Sequence, residues 1–313
     1  MINSLSPLNN SLPVTTPRIE ELLESFISYQ DIKKTSQSLY KRTLRLYFDW
    51  LKVKGYQLAN LTGADVKAYK EHLLSSGMSS LTVSSYLNSV RRFYEWAEGQ
   101  RLYPNIGRGI RSPKRKQPFK KRPLLPDQST QLLTHLQRGG KRDYAIVNLL
   151  LRTGLRTVEL IRADVGDISY RNGKRVLLVQ GKGRDEKDNL VVLTDKAYQP
   201  IADYLATRGK VKAGDPLFTS DSNNSSGERL STRTISYTVK EGLKEIGIDS
   251  RDFTAHSMRH STATNILRAG GSIADAQAVL RHSSPATTQI YLSTILEEQR
   301  LNNPPEELID NLF

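Results

Sequence analysis

Apolar residues recur with a helical period along most of the chain. Between residues 17 and 29, Ile19, Leu22, Leu23, Phe26 and Ile27 fall on one face, an i, i+3, i+4, i+7, i+8 spacing. A second helix is expected over about 36–54, with Leu39, Leu44, Tyr47, Phe48 and Leu51 inward and Lys41, Arg42, Arg45 and Lys52 largely outward, stopping at Gly55. A third begins after Thr62, an N-cap with Asp65 three residues on, and ends near Gly77. A fourth covers about 80–98, with Val83, Leu87, Val90, Tyr94 and Ala97 spaced helically before Gly99. Four amphipathic helices predict a small all-helical domain.

Beyond residue 122 the pattern changes. Residues 127–139 and 141–153 read as helices, the second strongly apolar. Strand signals follow at 165–170, 175–180 and 190–193. The first two strands are separated by Arg171-Asn172-Gly173-Lys174, whose Asn-Gly pair is a strong hairpin signal. A polar turn over 181–189 joins the last two. Helical patterning returns at 196–208, 231–246, 256–268 and 272–281, with a polar loop at 220–229. There is no internal repeat. The expected fold class is mainly α with a small antiparallel β-sheet: an all-helical domain followed by a mixed α/β domain.

Composition narrows the function. The chain has 313 residues, no cysteine, a formal charge of +14 and a pI near 9.8. Without cysteine there is no disulfide framework, thiolate zinc site or cysteine nucleophile. No apolar run approaches a membrane span, and the amino terminus lacks the basic and apolar regions of a signal peptide, so a cytoplasmic protein is expected. The basic excess calls for a polyanionic partner, nucleic acid or an anionic membrane surface. Half of it lies in residues 111–122, RSPKRKQPFKKR, which contribute +7. Proline and like-charge repulsion favour an extended chain there, an interdomain linker. Lys114, Arg115, Lys116, Lys120, Lys121 and Arg122 are its candidate DNA contacts; a solubilising loop or an import signal has the same composition. Arg91 and Arg92 are further candidates, although such pairs more often face solvent.

No HExxH, GxxxxGK[ST] or GxGxxG motif is present, and no carboxylate cluster stands out, which argues against a metal hydrolase or an NTPase. Arg, Lys, His, Tyr and Ser remain for any chemistry, and four stretches concentrate them. In TGLRTVEL, Arg156 opens a helix, a poor place for a cation unless an anion binds; an Arg156–Glu159 surface pair is the plainer reading. Lys182 stands at the exposed tip of a Gly-Lys-Gly turn, in isolation an ordinary β-turn. In TAHSMRH, Thr254 caps a helix on which His256 and Arg259 share a face, suiting a phosphate at the helix start, while His260 is free to pack inward. In the last, His282 precedes a Ser284-Pro285 helix start, and Tyr291 follows about two turns on.

The order Arg156, Lys182, His256-x-x-Arg259, His282, Tyr291 closely resembles the tyrosine recombinase (phage integrase) family. TGLRTVEL resembles its first box, the strand-turn GKG its hairpin lysine, HSMRHSTATNIL its second box and LRHSSPATTQIYL its terminal box. Each box alone is weak; four in order are specific. The resemblance extends over residues 17–294. The family often has glycine where Arg281 stands, and an arginine before the third strand where this chain has Asp188-Asn189; neither departure falls on a catalytic position.

The resemblance implies a disordered arm over 1–16, a helical SAM-like core-binding domain over 17–110, the basic linker over 111–122, a catalytic domain over 123–294 and a protomer-contacting tail over 295–313. It implies a site-specific recombinase that cuts and rejoins double-stranded DNA through a 3′-phosphotyrosyl intermediate without metal, ATP or cofactor. Tyr291 is then the nucleophile. Arg156 and Arg259 bind the non-bridging oxygens, Lys182 protonates the leaving 5′-oxygen, and His256 takes the tyrosine proton or holds the phosphate. His282 donates to a non-bridging oxygen, and Glu159 positions Arg156 or caps the helix locally. Four protomers on two duplexes are implied, with the basic linker crossing a duplex clamped between the domains. The acidic tail, with Leu308, Ile309, Leu312 and Phe313 on one face, must bury on its own domain or a neighbour. The lack of a further amino-terminal domain points to a simple Xer-like or transposon-integrase type acting at specific recombination sites, with room for accessory DNA-binding proteins, and located in the cytoplasm at the nucleoid. A type IB-like topoisomerase and a catalytically silent DNA-binding protein are the alternatives.

Overall fold

The computed structural model describes residues 16–114, 121–181, 184–223, 225–282, 285–302, 304, 306–310 and 312. The expected arm up to residue 15, and Arg115, Lys116, Lys120, Lys182, Ser284 and Phe313, lie outside the described residues. Two compact units divide the chain, Met1–Pro118 and Phe119–Phe313.

In the first unit, α1 (Thr16–Tyr29), α2 (Lys34–Val53), α3 (Gly63–Ser75) and α4 (Ser80–Gly99) follow the periodicity closely. Thr62 and Asp65 close a capping box, with the Thr62 N–H donating to Asp65 Oδ2 at 2.8 Å. Gly55 and Gly77 take the positive φ that ends a helix. Leu23, Phe26, Leu44, Phe48, Leu51 and Leu87 form the centre of the core. Phe26 and Phe93 meet edge-on at 5.7 Å, and the buried Tyr47 and Tyr94 hydroxyls share a 3.0 Å hydrogen bond. The outward cations of α2 lean on α1: Lys41 pairs with Glu24, and Arg45 with Glu20 at 2.7 Å.

The second unit contains α5 (Pro126–Gly139), α6 (Lys141–Thr153) and α7 (Thr157–Arg162), then β1 (Ile168–Arg171), β2 (Lys174–Val179) and β3 (Asn189–Val192). The helices α8 (Asp195–Thr207), α9 (Thr232–Glu245), α10 (Ala255–Arg268), α11 (Ile273–Leu280), α12 (Pro285–Asn302) and α13 (Glu307–Asp310) complete it. The sheet is antiparallel in the order β1-β2-β3, with Ile168 opposite Leu177 and Leu177 opposite Val191. Asn172 (φ 47°) and Gly173 (φ 73°) supply the left-handed pair that a tight hairpin needs. The chain is mainly helical with one small antiparallel sheet, as the patterning predicts. Among the described residues no helix is long and apolar enough to cross a membrane.

Two differences have clear causes. The strand expected from 165 starts with a 3-10 turn, Val165–Asp167, because the Asp164 N–H donates to Asp167 Oδ2 at 2.6 Å. A local side-chain acceptor here outcompetes a ladder. The helix expected to carry Tyr291 two turns in runs on to Asn302, since no glycine or proline interrupts it before Pro304. Its later turns pack inward: Ile295 is buried, and Glu298 binds Arg268 at 2.6 Å.

The core of this unit is built on α6, whose Ala145, Ile146, Val147, Leu149 and Leu150 are buried almost all round. That explains its run of apolar residues. Leu149→Ala is expected to destabilise the second unit by about 2–5 kcal/mol, read as a shift in its denaturant unfolding midpoint.

Candidate active site

Four helix ends assemble the site. Gly154 ends α6 in the left-handed conformation (φ 59°), its N–H donating to the Leu150 carbonyl at 2.9 Å. A Cβ there would lie 2.5 Å from Leu280 Cδ2, so glycine suits both the backbone and the packing. The turn buries Leu155 and places Arg156 at the N-cap of α7. Glu159, 1% exposed, reaches back with both oxygens: Oε2 accepts the Arg156 N–H at 2.8 Å and Oε1 accepts Arg156 Nη1 at 2.7 Å. The Arg156 side chain remains 31% exposed.

The helix α10 starts at Thr254, whose N–H donates to Ser257 Oγ at 3.0 Å. His256 lies at the surface one turn before Arg259, which is buried. The Arg259 guanidinium donates through Nη1 to the Gly154 carbonyl and through Nη2 to the Leu280 carbonyl. It thereby joins the end of α6, α10 and the end of α11.

Arg281 follows α11 with φ 56° and ψ 46°. Left-handed backbone costs a side-chain-bearing residue about 1–2 kcal/mol. Its guanidinium donates to Glu159 Oε2 at 2.9 Å, so this carboxylate serves two arginines. His282 comes next, its Nδ1 sharing a 2.9 Å hydrogen bond with Thr288 Oγ1 on α12. Tyr291, also on α12, is buried. Its ring stacks with His282 at 6.2 Å and meets His260 edge-on at 5.0 Å, while His260 meets His256 at 4.8 Å. Arg156, His256, Arg259, His282 and Tyr291 thus come together from residues spread over more than 130 positions of sequence.

The electrostatics follow the geometry. Burial, reinforced by Arg259, Arg156 and Arg281, pushes His282 down to about 4. Burial, then His256 and Arg259, does the same for His260, also about 4. His256 keeps an exposed edge, but the packing around the rest of its ring lowers it, and Arg259 and Arg156 add to that. Burial brings Arg259 to about 10, still protonated at neutral pH. Burial would raise Glu159, but the charge of Arg281 and the hydrogen bonds from Arg156 hold it below the usual carboxylate range. Burial raises the Tyr291 hydroxyl, against a downward pull from Arg259 and Arg156.

Sequence reasoning undervalued two residues. His260 is the ring between His256 and Tyr291; its only sequence signal is its place beside Arg259. Arg281 was visible as a bulky cation at a helix end where glycine is usual, with nothing local to indicate its carboxylate partner 122 positions away. Among the described residues, no group of three or more His, Asp or Glu is placed to hold a metal ion.

The candidate DNA contacts have varied surroundings. Arg91 donates to the Ile110 carbonyl and to Ser112 Oγ, both at 3.1 Å, fastening the segment after α4. Arg92 faces Glu95 at 3.8 Å. Lys114 is exposed. Lys121 Nζ donates to the Arg251 carbonyl at 2.6 Å, and the Arg122 N–H to the Asp252 carbonyl at 3.0 Å, just ahead of α10. The Arg122 guanidinium lies 5.8 Å from the Phe253 ring centroid.

Comparison with known proteins bears on the family and the fold. The profile of the phage integrase family matches residues 122–297, and that of the phage integrase N-terminal SAM-like domain matches residues 19–101. The tyrosine recombinase XerC of Vibrio campbellii is 30% identical over 311 residues, covering 95% of this chain and 92% of the relative. The tyrosine recombinase XerD of Proteus mirabilis is 28% identical over 298 residues, covering 90% of each. Among solved structures, the XerH site-specific recombinase bound to a palindromic difH substrate has a TM-score of 0.71 at 19% identity, covering 90% of this chain and 82% of that one. The Tn1549 transposon integrase in complex with transposon right end DNA has a TM-score of 0.70 at 18% identity, covering 93% and 100%. These two likenesses concern the fold. With the family profile spanning more than half of its length, the chain belongs to the phage integrase family of tyrosine recombinases.

Proposed function

We propose that this chain is a site-specific DNA recombinase that cuts and rejoins double-stranded DNA through a 3′-phosphotyrosyl link, using neither metal nor ATP. The observation that carries the reading is the Tyr291 ring held between His260 and His282, within electrostatic reach of Arg259 and Arg156. Tyr291 Oη attacks the scissile phosphorus, the P–O5′ bond breaks, and the phosphate passes to tyrosine. His256 takes the phenolic proton, and Lys182 gives one to the departing 5′-oxygen. Arg156 and Arg259 stabilise the charge gathering on the non-bridging oxygens, and His282, neutral at pH 7, donates a hydrogen bond to one of them. The phosphotyrosyl bond conserves the phosphodiester energy, so a second 5′-hydroxyl reverses the step on a new strand. Tyr291 and Arg259 are covered here, so docking on DNA has to open the site. Lys114, Arg115, Lys116, Lys120, Lys121 and Arg122 supply phosphate contacts, with Arg92 and Arg91 on the helical unit. The domain limits of 17–110 and 123–294, the cytoplasmic nucleoid location and a tetramer on two duplexes belong to the same proposal. Exposed Leu301, Leu308, Ile309 and Leu312 give the tail an apolar face for a neighbouring protomer.

Tyr291→Phe is expected to abolish covalent attachment to a nicked DNA substrate while leaving binding intact; a covalent adduct on a denaturing gel would overturn the choice of nucleophile. Deleting residues 303–313 should weaken pairing of two sites more than binding of one, measured by gel shift; equal loss counts against the tail. His260 and His282 have folded values near 4 against an ordinary 6.5. Between those values the unfolded chain binds more protons, so stability is full above about 6.5 and falls as pH drops toward about 4. Thermal unfolding across that range should show the decline, and His260→Gln should reduce it.

A further inference from the structure

Arg281 has no part in the reaction assigned above, and its placement carries costs. Its backbone is left-handed, its side chain is only 9% exposed, and its Nε has no partner among the described residues. A buried ion pair is weak evidence of stabilisation. Yet its guanidinium is tightly held, Nη2 on Glu159 Oε2 at 2.9 Å and Nη1 on the Val279 carbonyl at 2.6 Å.

The consequence lies in the charge balance around Glu159. This carboxylate, 1% exposed, grips Arg156 through both the backbone N–H and Nη1. Taken as a pair, Arg156 and Glu159 are neutral, and a carboxylate 2.7 Å from the guanidinium repels any phosphate brought to it. With Arg281 included, the trio carries one net positive charge. Arg156 is its most exposed member, at 31% against 9% for Arg281 and 1% for Glu159, so the surplus charge is presented at Arg156.

We propose that Arg281 is a positioning residue for the scissile phosphate: it offsets the Glu159 carboxylate and fixes its orientation, so that Arg156 meets the phosphate aligned and with its charge undiminished. This rests on the recombinase reading. It does not place Arg281 on the DNA; the guanidinium acts through Glu159 and Arg156. A glycine at this position would leave Glu159 with Arg156 as its arginine partner in this corner of the site.

The test uses the full chain. A nicked duplex that the wild-type protein attacks is selected from a random-sequence pool by capture of covalent adducts. The same duplex is then made with a methylphosphonate at the scissile position, which removes one negative charge. Single-turnover attachment and DNA affinity are measured for wild type, Arg281→Gly and Arg281→Lys. Arg281→Gly suits the left-handed backbone, so it is the substitution least harmful to folding. On the phosphodiester it should slow attachment about tenfold or more, with Kd within about threefold of wild type. Arg281→Lys should fall between the two, keeping charge without the planar fork. On the methylphosphonate the gap between Arg281→Gly and wild type should shrink to below about threefold, because a neutral phosphate asks less of the offset charge. An unchanged rate, an equal loss on both substrates or a loss of affinity matching the loss of rate would overturn the proposal. The second result would mean a structural role and the third a direct DNA contact. If the wild-type chain forms no adduct with any duplex, the recombinase reading itself falls, and this one with it.

Discussion

The Arg259 guanidinium donates to the carbonyls of Gly154 and Leu280, and the rest of the site is arranged around those two bonds. Each acceptor belongs to the last turn or cap of a helix, where backbone carbonyls lack partners of their own. One side chain therefore satisfies the exits of both α6 and α11 from the middle of α10. The residues two positions after Gly154 and one after Leu280 are Arg156 and Arg281, so the anchor also sets where the other arginines begin. Thr262, one turn further along α10, repeats the tie by donating to the Leu151 carbonyl at 2.9 Å.

Three arginines around one carboxylate give this corner of the site a surplus of positive charge. His256, His260 and His282 are all displaced toward the neutral form, by desolvation first and by Arg259 in each case, with Arg156 adding to the effect on His256 and His282. Neutral imidazoles retain both a donor and an acceptor nitrogen, which imidazolium does not. A site so arranged has the polarity of a phosphate receptor while its histidines remain able to take up a proton. The covered Tyr291 hydroxyl is raised by burial, and Arg259 and Arg156 pull it the other way.

Much of this was legible in the sequence. Helical periodicity located α2, α3, α4 and α6 to within a residue or two, because each buries one or more faces against its neighbours. The Asn-Gly hairpin was read from two residues whose φ requirements are local. The 3-10 start at Val165 was missed because its cause, the Asp164–Asp167 contact, is a side-chain bond that no apolar pattern records. At the site, the reactive residue types could be named from four short stretches, yet their mutual contacts could not. The Arg281–Glu159 pair spans two elements brought together by packing, and the Tyr291–His260 contact depends on how α12 lies against α10. Pattern reports what an element needs from its surroundings, and leaves open which other element provides it.

The continuity of α12 gives the site a mechanical property. Tyr291 and Leu301 ride on one uninterrupted helix, a span of about 15 Å at the usual rise per residue, and the Arg268–Glu298 pair clamps that helix to α10 between them. A helix of this kind behaves as a stiff lever with a fulcrum. A pull on its exposed end tilts the whole rod, and the tyrosine at the other end moves with it. The exposed end of α12 and the ring of Tyr291 thus share one rigid element, and the placement of one sets the placement of the other.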